Sequence, residues 1–143
     1  MDLDRLIAFY HDLRPDSVAR LAELYSADAY FKDPFNEVRG VEAIQRIFTH
    51  MFDQVQDPRF VVTDRVADAR GAMLAWEFRF ETRGWGGGKT QVVRGVSHLG
   101  FDRSGKVNYH RDYWDAAEEL YAKLPLIGPV LRLLRNRLSA DAR

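Results

Sequence analysis

Two short stretches carry side chains able to move protons. Between Leu24 and Gly40 a strand is expected through Ala29, Phe31 and Asp33. Residues two apart share a strand face, so Asp33 projects to the same side as the apolar Phe31. Pro34 has no N–H for a ladder and stops the strand there. A carboxylate on the apolar side of a strand end is costly to bury without a purpose, which marks Asp33 as a candidate functional residue. Asp-Pro is also a common turn starter, and capping of Phe35 or Asn36 is the plainer reading. In the second stretch, Val107 to Trp114, His110 and Asp112 stand two apart on one face. They are close enough to share a proton or position a water; the plainer reading is a satisfied polar pair supporting the sheet. One histidine and two carboxylates without tight spacing make a poor metal set, so neither a metal nor a cofactor is expected.

The elements that must place these groups follow from periodicity. Leu3, Leu6, Ile7, Tyr10 and Leu13 recur at helical spacing, with Asp2 able to cap. Arg14-Pro15 breaks that helix, and a second starts at Asp16 or Ser17 and carries Val18, Leu21, Leu24 and Tyr25 inward. Phe35 to Gly40 reads as a loop. A third helix has Val41, Ile44, Ile47, Phe48 and Met51 as its stripe and ends at Asp57-Pro58. From Arg59 the period becomes two. Strands are expected over Phe60 to Ala67, Ala72 to Arg83, Lys89 to Asp102 and Val107 to Trp114. Gly84 to Gly88 reads as a hairpin loop, and because no helix start follows it, it is not a phosphate cradle. Helices followed by a meander of long strands imply an α+β fold, with helices across one face of a curved antiparallel sheet. Ala116 to Lys123 reads as a short helix, and Pro125 introduces an amphipathic helix with a basic side, running to Leu138. The expected division is a domain over residues 1–123 and an extension over 124–143.

With 143 residues, 46% of them apolar and 29% charged, the chain has the composition of one globular domain. Its net charge of zero creates no field drawing it to nucleic acid. Cysteines are absent, which excludes disulfides and thiolate chemistry. Met1 to Arg5 is acidic and leads into a helix, and no apolar run approaches a bilayer's width. A soluble cytoplasmic protein is therefore the expectation.

The Asp33-Pro34 strand end resembles the ketosteroid-isomerase-like and SnoaL-like group of the nuclear-transport-factor-2-like superfamily. The likeness covers about residues 3 to 115. It also rests on the Tyr10-to-Asp33 spacing, the helix from Gly40 to Phe48, the aromatic residues Trp76, Phe78 and Phe80, and the strand Val93 to Phe101. It implies a cone-shaped α+β barrel, the sheet wrapped around the N-terminal helices, with an added C-terminal helix. It implies Asp33 as base at the pocket mouth and Tyr10 as donor to a developing oxyanion. Ser97 stands where the steroid isomerases place a protonated aspartate, which implies a weaker second donor. The alignment puts Asn108, His110, Asp112 and Trp114 on the pocket side, and lyases of the superfamily use a pocket histidine with a carboxylate. Arg94 and Arg111 have the wrong parity for the Asp-Arg-Asp set of the epoxide-hydrolase-like members. Phe31, Trp76, Phe78, Phe80, Leu99 and Trp114 would line the pocket.

The expectation is a cofactor-independent enzyme doing acid–base chemistry of isomerase, cyclase or lyase type on a hydrophobic carbonyl compound. Asp33, Tyr10, Ser97, His110 and Asp112 would be its working residues. The alternative is a non-catalytic module that binds a hydrophobic ligand or a protein. The other sheet face, with Val92, Arg94, Val96 and His98 beside Ala75, Glu77 and Arg79, suits a homodimer. The terminal helix would dock on its own domain or a dimer partner, or touch an anionic membrane surface.

Overall fold

The structure, a computed structural model, describes residues 1–82, 88–121 and 128–138. Helix α1 (Leu3–His11) begins where the Asp2 carboxylate accepts the Arg5 N–H at 3.0 Å, and it buries Leu6, Phe9 and Tyr10. The single second helix expected from the sequence is divided. Pro15–Arg20 is a 3-10 turn, tied by the Ser17 hydroxyl to the Arg14 carbonyl, and only Leu21–Leu24 (α2) is α-helical. Strand β1 (Tyr25–Lys32) follows directly, so Asp33 is the first residue beyond the strand rather than its last.

The stretch expected to be a loop contains a short strand, β2 (Glu37–Arg39), antiparallel to β1 with Phe31 opposite Val38. Gly40 then turns into α3 (Val41–Gln54) at φ 102°, a conformation that side chains with a Cβ resist, and its N–H donates to the Ala29 carbonyl. Helix α3 ends three residues before the expected Asp57-Pro58. Strand β3 (Val55–Asp68) runs through Pro58 instead, and this is permitted because β3 is an edge strand whose register shifts between Gln56 and Arg59. Strands β4 (Gly71–Thr82), β5 (Thr90–Phe101) and β6 (Val107–Tyr113) complete the sheet. Of the expected glycine-rich hairpin loop, Gly84 to Gly87 lie outside the described residues.

The six strands run in the order β2-β1-β6-β5-β4-β3. The sheet is curved, but two expectations need correction. It is mixed rather than antiparallel, because β1 and β6 run parallel with Phe31 beside His110. It is also open, with β2 and β3 as its edges, and so forms no closed barrel. The parallel pair arises because β6, the last strand of the antiparallel meander β3-β4-β5-β6, lies with its outer side against the first strand. The helices cover the concave face. Leu6, Leu21, Tyr25, Phe31, Ile44, Leu99 and Val107 are its most buried large side chains; each such apolar group contributes roughly 1.5–3 kcal/mol on burial.

After β6 comes α4 (Ala116–Glu119), capped by the Asp115 carboxylate and shorter than expected. A last helix, α5 (Gly128–Leu138), lies within the expected amphipathic segment, whose start at Pro125 is outside the described residues. Among the described residues no helix is long and apolar enough to cross a membrane.

Candidate functional site

A cavity of about 780 Å³ opens between α3 and the concave side of the sheet. That volume suits a small organic ligand. Alternation along β4 sends Leu74, Trp76, Phe78 and Phe80 into it, and β5 contributes Val93, Ser97 and Leu99. Phe60, Phe78 and Phe80 form one stacked wall, with ring centroids 4.5 and 5.0 Å apart. Trp76 has room to lie flat because its strand partner is Gly95. A Cβ there would stand 2.5 Å from the indole ring.

The polar groups on this apolar wall form one connected run. Ser97 and Asp112 are direct cross-strand partners, as are Leu99 and His110. The Trp76 indole N–H donates to Ser97 Oγ at 2.8 Å, and the Ser97 hydroxyl donates to Asp112 Oδ1 at 2.5 Å. His110, only 3% exposed, meets that same Oδ1 through Nε2 at 2.7 Å. Its Nδ1 lies 2.6 Å from the Tyr25 hydroxyl, which in turn lies 2.5 Å from the Tyr10 hydroxyl. Tyr10, Ser97, His110 and Asp112 line the cavity, whereas Tyr25 sits behind the wall. Asp112 Oδ2 makes no hydrogen bond among the described residues, and the side chain keeps 17% of its surface exposed. That oxygen is free to take a proton.

Burial holds both phenols protonated. Desolvation pushes Tyr10 well above the ordinary tyrosine range, against a lowering by its bond to Tyr25, and the Asp112 charge adds to the rise. Tyr25 moves the same way, again chiefly through burial. With two neutral phenols the run has two polarities. When His110 carries its proton on Nε2 alone, Tyr25 donates to Nδ1 and Tyr10 donates to Tyr25. A proton on Nδ1 as well reverses both bonds and releases the Tyr10 hydroxyl hydrogen to the cavity. The direction in which the Tyr10 hydroxyl points its hydrogen is thereby tied to the proton on His110.

Asp33 also reaches the cavity, from the turn after β1. Its Oδ1 accepts the N–H groups of Phe35 and Asn36 at 2.7 and 2.6 Å, and the Asn36 side-chain amide binds both oxygens. The carboxylate thus closes the turn that presents Phe35, 56% exposed, against Trp114 and Tyr121 at the cavity's rim. The residues from which a lining was expected, Phe31, Trp76, Phe78, Phe80, Leu99 and Trp114, all border the cavity. Asn108 does not: it is the extra residue of a bulge where Gly100 pairs with Tyr109 and Phe101 with Val107, and this turns it to solvent. Arg94 and Arg111 stay off the cavity, Arg94 near Glu77 and Glu119, Arg111 over the Tyr113 ring.

Tyr25 was missed as a site residue. Its inward position was legible, but its partner lies 85 residues away, and no local pattern announces that contact. Among the described residues no three His, Asp or Glu side chains converge as metal ligands would.

The model of the SnoaL-like domain family matches residues 6–110. No curated protein matches the sequence significantly. Solved structures with a similar fold include a candidate SnoaL-like polyketide cyclase from Jannaschia sp. CCS1. It is 16% identical, with 81% of this chain and 84% of that chain covered, at a TM-score of 0.69. A hypothetical protein of ketosteroid isomerase-like fold from Catenulispora acidiphila, in complex with trimethylamine, is 16% identical over 80% of this chain and 85% of that one, at 0.67. TerC, co-crystallised with polyporic acid, is 14% identical over 82% and 93%, at 0.68. At these identities the likeness is one of fold.

Proposed function

The chain belongs to the family of SnoaL-like domains, and from that premise we propose that it is a small enzyme that moves a proton beside the carbonyl of an apolar molecule. The observation that carries this reading is the unbroken hydrogen-bonded run Tyr10–Tyr25–His110–Asp112 on the wall of an apolar cavity. The carbonyl oxygen would accept from Tyr10, in the polarity that a protonated His110 sets. Asp112 Oδ2 would take the proton from the neighbouring carbon, leaving an oxyanion held by the phenol. Returning that proton to another carbon completes an isomerisation. Delivery after carbon–carbon attack or loss of a hydroxide gives the cyclase or lyase outcome. The chemistry calls for no cofactor. Ser97, whose hydrogen is given to Asp112, orients the carboxylate; Tyr25 couples the donor to the imidazole.

A second reading, a non-catalytic binding module of the same fold, draws support from Asp33, which is engaged in its own turn and need not be a base. The two readings separate on solvent deuterium incorporation into a bound polycyclic ketone, followed by mass spectrometry. The enzyme reading expects exchange well above the buffer rate; a ketone that binds and never exchanges supports the binding module.

A further inference from the structure

Helix α3 lines the cavity with two adjacent rows of side chains. Ala43, Ile47 and Met51, spaced four apart, form the apolar row. Arg46, His50 and Gln54 form the neighbouring row; all three are solvent-exposed yet still border the cavity. Exposed polar groups one turn apart are ordinary on the solvent face of an amphipathic helix; what distinguishes these three is that they also border the cavity. Arg46 is the only arginine or lysine of the lining, and among the described residues it makes no ion pair or hydrogen bond. Several of the other arginines are engaged: Arg5 and Arg20 with Glu23, Arg70 with Asp68, Arg79 with Glu77. The two carboxylates of the lining do not occupy it either. Asp33 is satisfied by its own turn, and Asp112 bonds to Ser97 and His110.

We infer that the ligand is an amphiphilic anion, an apolar ring system bearing a carboxylate or similarly acidic group that Arg46, with His50 and Gln54 beside it, holds at the cavity mouth. The placement suits the energetics. A charged head left at the rim keeps part of its hydration and avoids the cost of burial, while the apolar body fills the chamber. A guanidinium offers two parallel N–H donors to a carboxylate, which a lysine cannot match. Held by its head, the ligand would present a fixed depth to the wall that carries Tyr10 and Asp112. The inference rests on the preceding reading only in taking this cavity as the ligand site.

The test is binding of a naphthoic acid and its isosteric amide, measured by calorimetry and by quenching of Trp76 and Trp114 fluorescence. The wild-type protein is expected to bind the acid at least tenfold tighter than the amide, with the advantage shrinking as salt is added. Arg46→Gln should remove that advantage and leave amide affinity unchanged, and Arg46→Lys should recover only part of it. Acid and amide bound equally by the wild type, or an Arg46→Gln variant that weakens both alike, would overturn the anionic-head assignment while leaving the apolar cavity as a ligand site. Binding of neither compound would overturn both.

Discussion

At the scale of single residues the site depends on two phenols that keep their protons. Tyr10 and Tyr25 are both held above the ordinary tyrosine range, chiefly by burial. Their protons remain in the folded protein when the unfolded chain, with tyrosines near their usual value of about 10, gives them up. The folded state then binds more protons than the unfolded one. Stability therefore falls as pH rises above that value, and the phenols' contribution is fully present below it. An alkaline titration followed by tyrosinate absorbance should show the exposed tyrosines ionising first and these two last, together with loss of the fold. Early ionisation of all six tyrosines within an intact fold would contradict the burial of the pair. The same residues mark the limit of reading a sequence. His110 and Asp112 share a strand face, and parity alone brings them together. Tyr25 joins them only because β1 and β6 lie side by side, a pairing that no spacing in the chain encodes. Asp33 could be placed at a strand end with its turn-capping alternative, but four hydrogen bonds to the Phe35–Asn36 turn become visible only in three dimensions.

At the scale of elements, the strands hold the geometry of the site through particular close approaches. Gly95 on β5 leaves the space that the Trp76 ring on β4 occupies, and Trp76 donates to Ser97, which holds Asp112. Gly95→Ala should push the indole aside and break that donation. We expect a loss of stability of about 1–3 kcal/mol, read from the denaturation midpoint, with a changed near-ultraviolet dichroism of tryptophan. An unaltered tryptophan spectrum with unchanged stability would show that Gly95 is not needed for the ring. Element type was legible wherever apolar periodicity was long, as in α1, α3 and the three long strands β3, β4 and β5. It failed where local chemistry outweighed pattern: Pro15 and Ser17 convert a helix start into a 3-10 turn, and the edge position of β3 admits Pro58. The three-residue β2 has too few residues to show any period.

At the scale of the whole molecule, an open curved sheet carries the cavity on one face and leaves the other to solvent or to partners. We propose that the outer face, with Val96, His98, Tyr109 and the exposed Met73 and Tyr113, is where a second copy would pack. Helix α5 exposes Val130, Leu133 and Leu134 beside Arg132, a composition that interfacial helices share. If it engages anionic membranes, removing residues 126–143 should abolish co-sedimentation with phosphatidylserine vesicles without altering the thermal transition of the domain; unchanged partitioning would remove that role. The α+β class and the helices on one sheet face could be read from the chain. The openness of the sheet and its parallel pair could not, because strand order is a long-range property. The central claim, that the Tyr10–Tyr25–His110–Asp112 run is the proton-handling machinery and Asp33 a turn residue, is tested most directly by one comparison. Solvent deuterium exchange of a bound ketone would be measured for Asp112→Asn and Asp33→Asn side by side. The account predicts a loss of about a hundredfold or more for Asp112→Asn and less than about tenfold for Asp33→Asn. The reverse order, with Asp33→Asn inactive and Asp112→Asn nearly unaffected, would contradict it.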